Sequence, residues 1–107
     1  MRAIYINVRD KEITEIELEK GIDAIYEKLE CTVFTCPLID TKGDSLYVDD
    51  EGLLNDNSPG SFFHLGYPTQ PLFGHGLIIG TDDEGESTDA KVSLENVKAL
   101  ISFIDLI

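Results

Sequence analysis

His64 and His75 are the only histidines of this 107-residue chain. They are the natural candidates for acid–base chemistry near neutral pH, with carboxylates abundant around them. Both fall in the stretch 57–81, NSPGSFFHLGYPTQPLFGHGLIIGT, which contains no Asp, Glu, Lys or Arg although the chain's net charge is −13. A catalytic or zinc role needs converging partners. The sequence has no H-x-x-x-H, no Cys/His set and no Ser or Cys nucleophile motif. The histidines therefore read as structural or surface groups, or else as polar groups, with Tyr67 and Gln70, of a pocket beneath the 57–76 loop. Phe62, Phe63, Tyr67 and Phe73 are the matching apolar candidates, suited to anchoring a protein partner or tacking the loop to the domain.

Two further patterns could carry chemistry. Asp49-Asp50-Glu51-Gly52 returns as Asp82-Asp83-Glu84-Gly85, followed by Glu86. Each follows an apolar strand pattern, so each reads as a solvated acidic turn whose glycine takes the left-handed conformation. Calcium needs roughly six oxygen ligands and an EF-hand-like spacing that neither copy has, so a cation is expected only if the two turns lie side by side. GHGLIIG at 74–80 resembles a phosphate loop only superficially, because its glycines flank a strand and no Lys or Arg stands near. Cys31 and Cys36 bracket TVFT in a strand-like segment and form no ligand pair. No metal and no cofactor are expected.

Composition narrows the partners. With 21 acidic against 8 basic residues, phosphate backbones and anionic membranes would meet like charge. A basic protein surface, or one that accepts aromatic side chains, fits better. No apolar run approaches the roughly 20 residues of a membrane span, and the N-terminal MRAIYINVRD lacks the features of a secretory signal. A cytoplasmic protein is the expectation.

The elements that must position these groups follow from periodicity. Alternation over 2–9 predicts a first strand, which a polar turn at 10–11 joins as a hairpin to a second strand with glutamates on its wet face. Ile22, Ile25, Tyr26 and Leu29 form a helical stripe, with Asp23 in the first turn and Lys28 in the last. TVFTC at 32–36 predicts a strand in which Pro37 marks an edge or a bulge. SLYV at 45–48 predicts another. The uncharged stretch divides at Leu72 into a Pro/Gly/aromatic loop and a buried central strand, LII at 77–79. Ser93 is placed to cap a C-terminal helix carrying Leu94, Val97, Leu100, Ile101 and Ile104. Its apolar end covers the core or docks on a second copy, making a homodimer through the C-terminal helix possible.

The run YPTQPLFG at 67–74, then GLIIGTDDEGEST at 76–88, with the N-terminal hairpin, the helix from Ile22 and LYVDDEG at 46–52, resembles the DUF3846 family of small proteins. The resemblance spans most of the chain. It assigns no residue a chemical role, and it implies an origin in bacteria, phages or mobile elements.

A single α+β domain over 1–107 is expected, with a mainly antiparallel sheet of about five strands and two helices packed on one face. The expected function is that of a small acidic, non-enzymatic accessory protein binding a host protein through the 57–76 loop or the acidic surface, with imitation of DNA as the narrower form of that expectation. A small-ligand binder or minor enzyme with a pocket under the loop is the alternative.

Overall fold

The computed structural model describes residues 1–39, 43–50 and 60–104, the side chains of 67–70 excepted. The frame is a mixed-order but antiparallel sheet. Strand β1 (Arg2–Asn7) turns into β2 (Glu12–Glu17), and helix α1 (Ile22–Leu29) leads to β3 (Phe34–Ile39) and β4 (Asp44–Asp49). Later in the chain come β5 (Ser61–His64), β6 (Tyr67–Phe73), β7 (Gly76–Thr81), the two-residue β8 (Ser87–Thr88), α2 (Leu94–Leu100) and β9 (Ile101–Ile104). The main sheet has the order β2-β1-β7-β4-β3, with β8 pairing to β7, and a second sheet runs β6-β5-β9. The α+β class, with mainly antiparallel strands, is as the periodicities predict.

Strand β7 is central because its sequence permits burial on both faces. Leu77 and Ile79 face α1 with Ala3, Tyr5, Ile25 and Leu29, while Ile78 faces the other way with Ile4, Ile6, Val48 and Val97. Burying each such side chain is worth about 1.5–3 kcal/mol. Gly76 and Gly80 keep the second face open to neighbours. A Cβ on Gly80 would stand 2.2 Å from the backbone oxygen of Asp89. That close approach brings the segment before α2 against the sheet.

Several local predictions hold in detail. Pro37 sits in β3, at the sheet edge, where the β3–β4 register shifts between Thr35 and Leu38. The Ser93 side chain accepts from the amide of Asn96 at 3.1 Å and caps α2. Helix α1 ends at Glu30, which adopts the left-handed conformation (φ 54°) while the Cys31 amide bonds back to Tyr26.

Three expectations are corrected. The helices do not share a face: Ile25 and Leu29 of α1 belong to one core layer and Val97 of α2 to the other, so the sheet is sandwiched between them. The proposed loop up to Leu72 contains the hairpin β5–β6. The helical stripe at 94–104 stops at Leu100, and Ile101–Ile104 pairs as β9 with β5. An apolar residue at every third or fourth position fits a helix followed by a partly buried strand as well as one long helix. The partner strand β5 decides the outcome.

Candidate functional site

The β5–β6 hairpin carries most of the expected site, but it sorts those residues into three environments. Phe62 is fully buried and belongs to the core shared with Ile4, Val48 and Val97. Phe63, its neighbour on the other face of the strand, is 41% exposed, and Leu65 at the turn is 69% exposed. His64 points inward and is 7% exposed. Its Nδ1 accepts the Gly66 amide at 2.8 Å, which fixes that nitrogen as an acceptor and closes the turn. Gly66 permits this closure, since a Cβ there would lie 3.1 Å from the imidazole and 3.3 Å from Leu38 Cδ2. The hairpin tip therefore rests on β3. Tyr67 and Gln70 lie on β6, and their side chains are outside the described residues.

Beneath the hairpin is a cavity of about 80 Å³ lined by His64, Asp44 and Ser45 together with Leu38, Leu46, Ile78 and Val97 among others. Its carboxylate already has work: Asp44 Oδ1 accepts the Lys91 amide and Oδ2 the Val92 amide, both at 2.8 Å. Asp44 thereby ties the segment before α2 to β4. The cavity is apolar apart from these groups.

His75 is elsewhere. It directly precedes β7 and faces the α1 side with Tyr5, whose ring centroid is 5.5 Å away. Its Nδ1 accepts the buried amide of Val8 at 3.2 Å. Its Nε2 lies 3.1 Å from Glu30 Oε2 but makes no directed hydrogen bond. Arg9 grips the same Glu30 carboxylate with both terminal nitrogens, at 3.1 and 3.3 Å. Hydrogen bonding from Arg9 holds the Glu30 carboxyl below its usual range, with His75 adding to the effect. Burial is the largest influence on His75 and lowers its pKa, outweighing the nearby carboxylate. Burial likewise raises the Tyr5 phenol. His75 is thus a neutral, interior imidazole wired to the backbone, and the two histidines do not share a pocket.

Periodicity did not expose this cluster, because Arg9, Glu30 and His75 come from a hairpin turn, a helix end and a strand start. The left-handed Glu30 is its only local irregularity. Beside it opens a groove of about 430 Å³ lined by Tyr5, Glu17, Leu18, Glu19, Ala24, Glu27, Lys28 and Glu30. Lys28 lays its ammonium 4.4 Å over the Tyr5 ring. Such a cation–π contact is worth about 0.5–1 kcal/mol at an exposed site. The groove receives a cation from its own helix.

The acidic turns also separate. Strands β4 and β7 are antiparallel, with Asp44 opposite Gly80 and Val48 opposite Gly76. Asp49 and Asp50 therefore lie at one end of the pair and Asp82, Asp83, Glu84 and Glu86 at the other, about 17 Å apart for five residues of strand. Glu51 is outside the described residues. Asp82 Oδ1 accepts the amides of Glu84 and Glu86, both at 2.9 Å, and Gly85 takes φ 83°, as a left-handed turn residue should. The side-by-side arrangement that a shared cation would require does not occur. Among the described residues no group of three or more His, Cys, Asp or Glu side chains could hold a metal ion. Cys31 is a thiol pushed up to about 11 by burial, with Asp49 adding to it, and so is a poor nucleophile. No helix among the described residues is long and apolar enough to cross a membrane.

No curated protein and no solved structure matches the chain. Residues 1–101 match a family described as Domain of unknown function (DUF3846). That span takes in the main sheet, the His75 cluster and the whole β5–β6 hairpin, and on it the chain belongs to the DUF3846 family.

Proposed function

We propose that this is a non-enzymatic accessory protein, of bacterial, phage or mobile-element origin, that binds a host protein bearing a basic surface. The observation that carries the reading is the β5–β6 hairpin, which holds Phe63 and Leu65 out to solvent in a chain of net charge −13. Exposed apolar side chains on an uncharged, strand-built surface are suited to anchoring a partner. The surrounding negative charge would steer a basic protein toward them and discriminate against nucleic acid. The acidic groove beside Tyr5 adds a concave place for a partner's Lys or Arg. DNA mimicry is the narrower form of the same idea, with the acidic turns at both ends of β4 and β7 presenting the charge. The cytoplasm is the compartment in which such a partner would be met.

The second reading, a small-ligand binder with its pocket under the hairpin, is favoured by one observation, the cavity at His64. At about 80 Å³ it is roughly half the volume of the apolar cavity of ~150 Å³ that admits benzene. Only a ligand of a few heavy atoms would fit.

Affinity capture from bacterial lysate at low and high salt separates these readings. Electrostatic steering predicts a basic protein that is retained at about 0.05 M salt and weakened at about 0.5 M, because screening shortens the reach of the charge to a few ångströms. No retained protein, or one indifferent to salt, would contradict the proposal.

A further inference from the structure

Besides the two-residue β8, which pairs only with β7, four described strands stand at sheet edges: β2 and β3 in the main sheet, β6 and β9 in the second. An edge strand offers unpaired amides and carbonyls to any other strand, and proteins guard such edges with charge, proline or bulges. Three of the four are guarded in this way. Strand β2 carries Glu12, Glu15 and Glu17; β3 has Pro37 and a register shift; β6 has Pro68 and Pro71. Strand β9, Ile101-Ser102-Phe103-Ile104, has no charge, no proline and no register shift.

The direction of its free groups follows from the pairing. The Leu65 amide bonds to the Leu100 carbonyl, and the register continues with His64 opposite Ile101, Phe63 opposite Ser102 and Phe62 opposite Phe103. In an antiparallel ladder hydrogen-bonded and non-hydrogen-bonded pairs alternate. Ser102 therefore turns its amide and carbonyl toward β5, and Phe103 turns both outward. The Ile101 amide is already used by the Val97 carbonyl at the end of α2.

The outward edge borders an open groove of about 550 Å³ between β9 and β2, lined by Lys11, Glu12, Ile13, Thr14, Lys98, Ile101 and Phe103. Its lining has two lysines and one glutamate, a net charge of +1, whereas the groove beside Tyr5 has four glutamates and one lysine, a net charge of −3. Two copies of a chain of net charge −13 repel one another over most of their surface. The repulsion is least where basic side chains gather beside an uncharged edge.

We infer that β9 pairs antiparallel with β9 of a second copy about a two-fold axis at Phe103, joining two three-stranded sheets into one of order β6-β5-β9-β9-β5-β6. The contact is isologous: each Phe103 gives its amide to the other's carbonyl, and the two grooves merge over an apolar floor of Ile13, Ile101 and Phe103.

Light scattering after size exclusion, run on the full chain over a concentration series, tests the pairing. The measured mass should rise toward twice the monomer value with concentration. Phe103→Pro removes the outward amide at a position where β5 needs none, and Ser102→Glu sets like charges beside the axis. Each should restore the monomer mass while far-ultraviolet circular dichroism stays that of the parent, and Leu65→Glu should leave the doubling intact. In the parent, hydrogen exchange at the Phe103 amide should slow at least tenfold from dilute to concentrated protein. A monomer throughout the series, a dimer that persists in Ser102→Glu, or a Phe103 amide whose exchange ignores concentration would overturn the inference. If Phe103→Pro unfolds, Ser102→Glu and the exchange rate decide.

Discussion

A single buried imidazole joins three distant parts of the chain, and its protonation links them to pH. His75 accepts the Val8 amide and abuts the Glu30 carboxylate that Arg9 holds. Because burial lowers its pKa in the folded state, the unfolded chain binds the proton first as pH falls. The stability that His75 contributes is complete above the ordinary histidine value of about 6.5. It is lost as pH falls from there through the lowered folded value. Glu30, also lowered on folding, contributes a further loss in more acid solution, below the ordinary carboxylate value of about 4.3. Thermal unfolding should therefore show the midpoint dropping between about pH 7 and pH 5 in the parent and more shallowly in His75→Gln, whose amide oxygen can still accept from Val8. Parallel pH profiles for the two would contradict this account of His75. The glycines of β7 give a sharper steric contrast. A Cβ at Gly80 meets a backbone oxygen at 2.2 Å, whereas one at Gly76 meets Ile6 Cδ1 and Phe62 Cζ at 3.0 Å. Backbone cannot swing aside as a side-chain end can. Urea unfolding should show Gly80→Ala losing about 3 kcal/mol and Gly76→Ala nearer 1 kcal/mol.

Among the elements, the 89–93 segment and α2 are held to the sheet by few but well-directed contacts. Asp44 accepts two amides from that segment, Arg2 donates to the Ala90 carbonyl at 2.6 Å, and Ser93 caps the helix. Asp44→Ala leaves two partly buried amides without their acceptor and should cost about 2 kcal/mol. Ser93→Ala should cost only about 1 kcal/mol. Chemical denaturation of the two variants checks the order. What the sequence made legible at this scale was local. The β1–β2 hairpin, the stripe of α1, the Ser93 cap, the bulge at Pro37 and the doubly buried LII of β7 each need only neighbours in the chain. Strands β5 and β6 escaped because Pro68 and Pro71 suppress a strand reading, yet both prolines are acceptable at the edge that β6 occupies. A helical stripe says which side of a helix is apolar and nothing of which sheet face it meets, so the opposed placement of α1 and α2 could not be read from it. The candidate site divided in the same way. Phe63 was visible as an aromatic in an uncharged stretch, while the grip of Arg9 on Glu30 beside His75 depends on contacts 21 and 67 residues apart in sequence.

At the scale of the whole molecule, charge sets both stability and partnership. A net charge of −13 repels itself across a chain whose radius of gyration is 12.8 Å. That distance exceeds the Debye length of about 10 Å at 0.1 M salt, so screening is most effective above that concentration. Raising salt from about 0.01 M to 0.3 M should therefore raise the thermal midpoint, by an amount readable in calorimetry, while weakening capture of a basic partner. A midpoint that falls with salt would show that specific ion pairs such as Arg9–Glu30 outweigh the general repulsion. The division of labour proposed above gives the acidic surface the role of steering and gives Phe63 and Leu65 that of holding. The most direct measurement is parallel affinity capture with the parent chain and the double variant Phe63→Ser, Leu65→Glu at low salt, with circular dichroism establishing that both are folded. The account predicts a basic host protein retained by the parent and reduced at least tenfold with the variant. Equal retention by the two would contradict the hairpin as the binding surface.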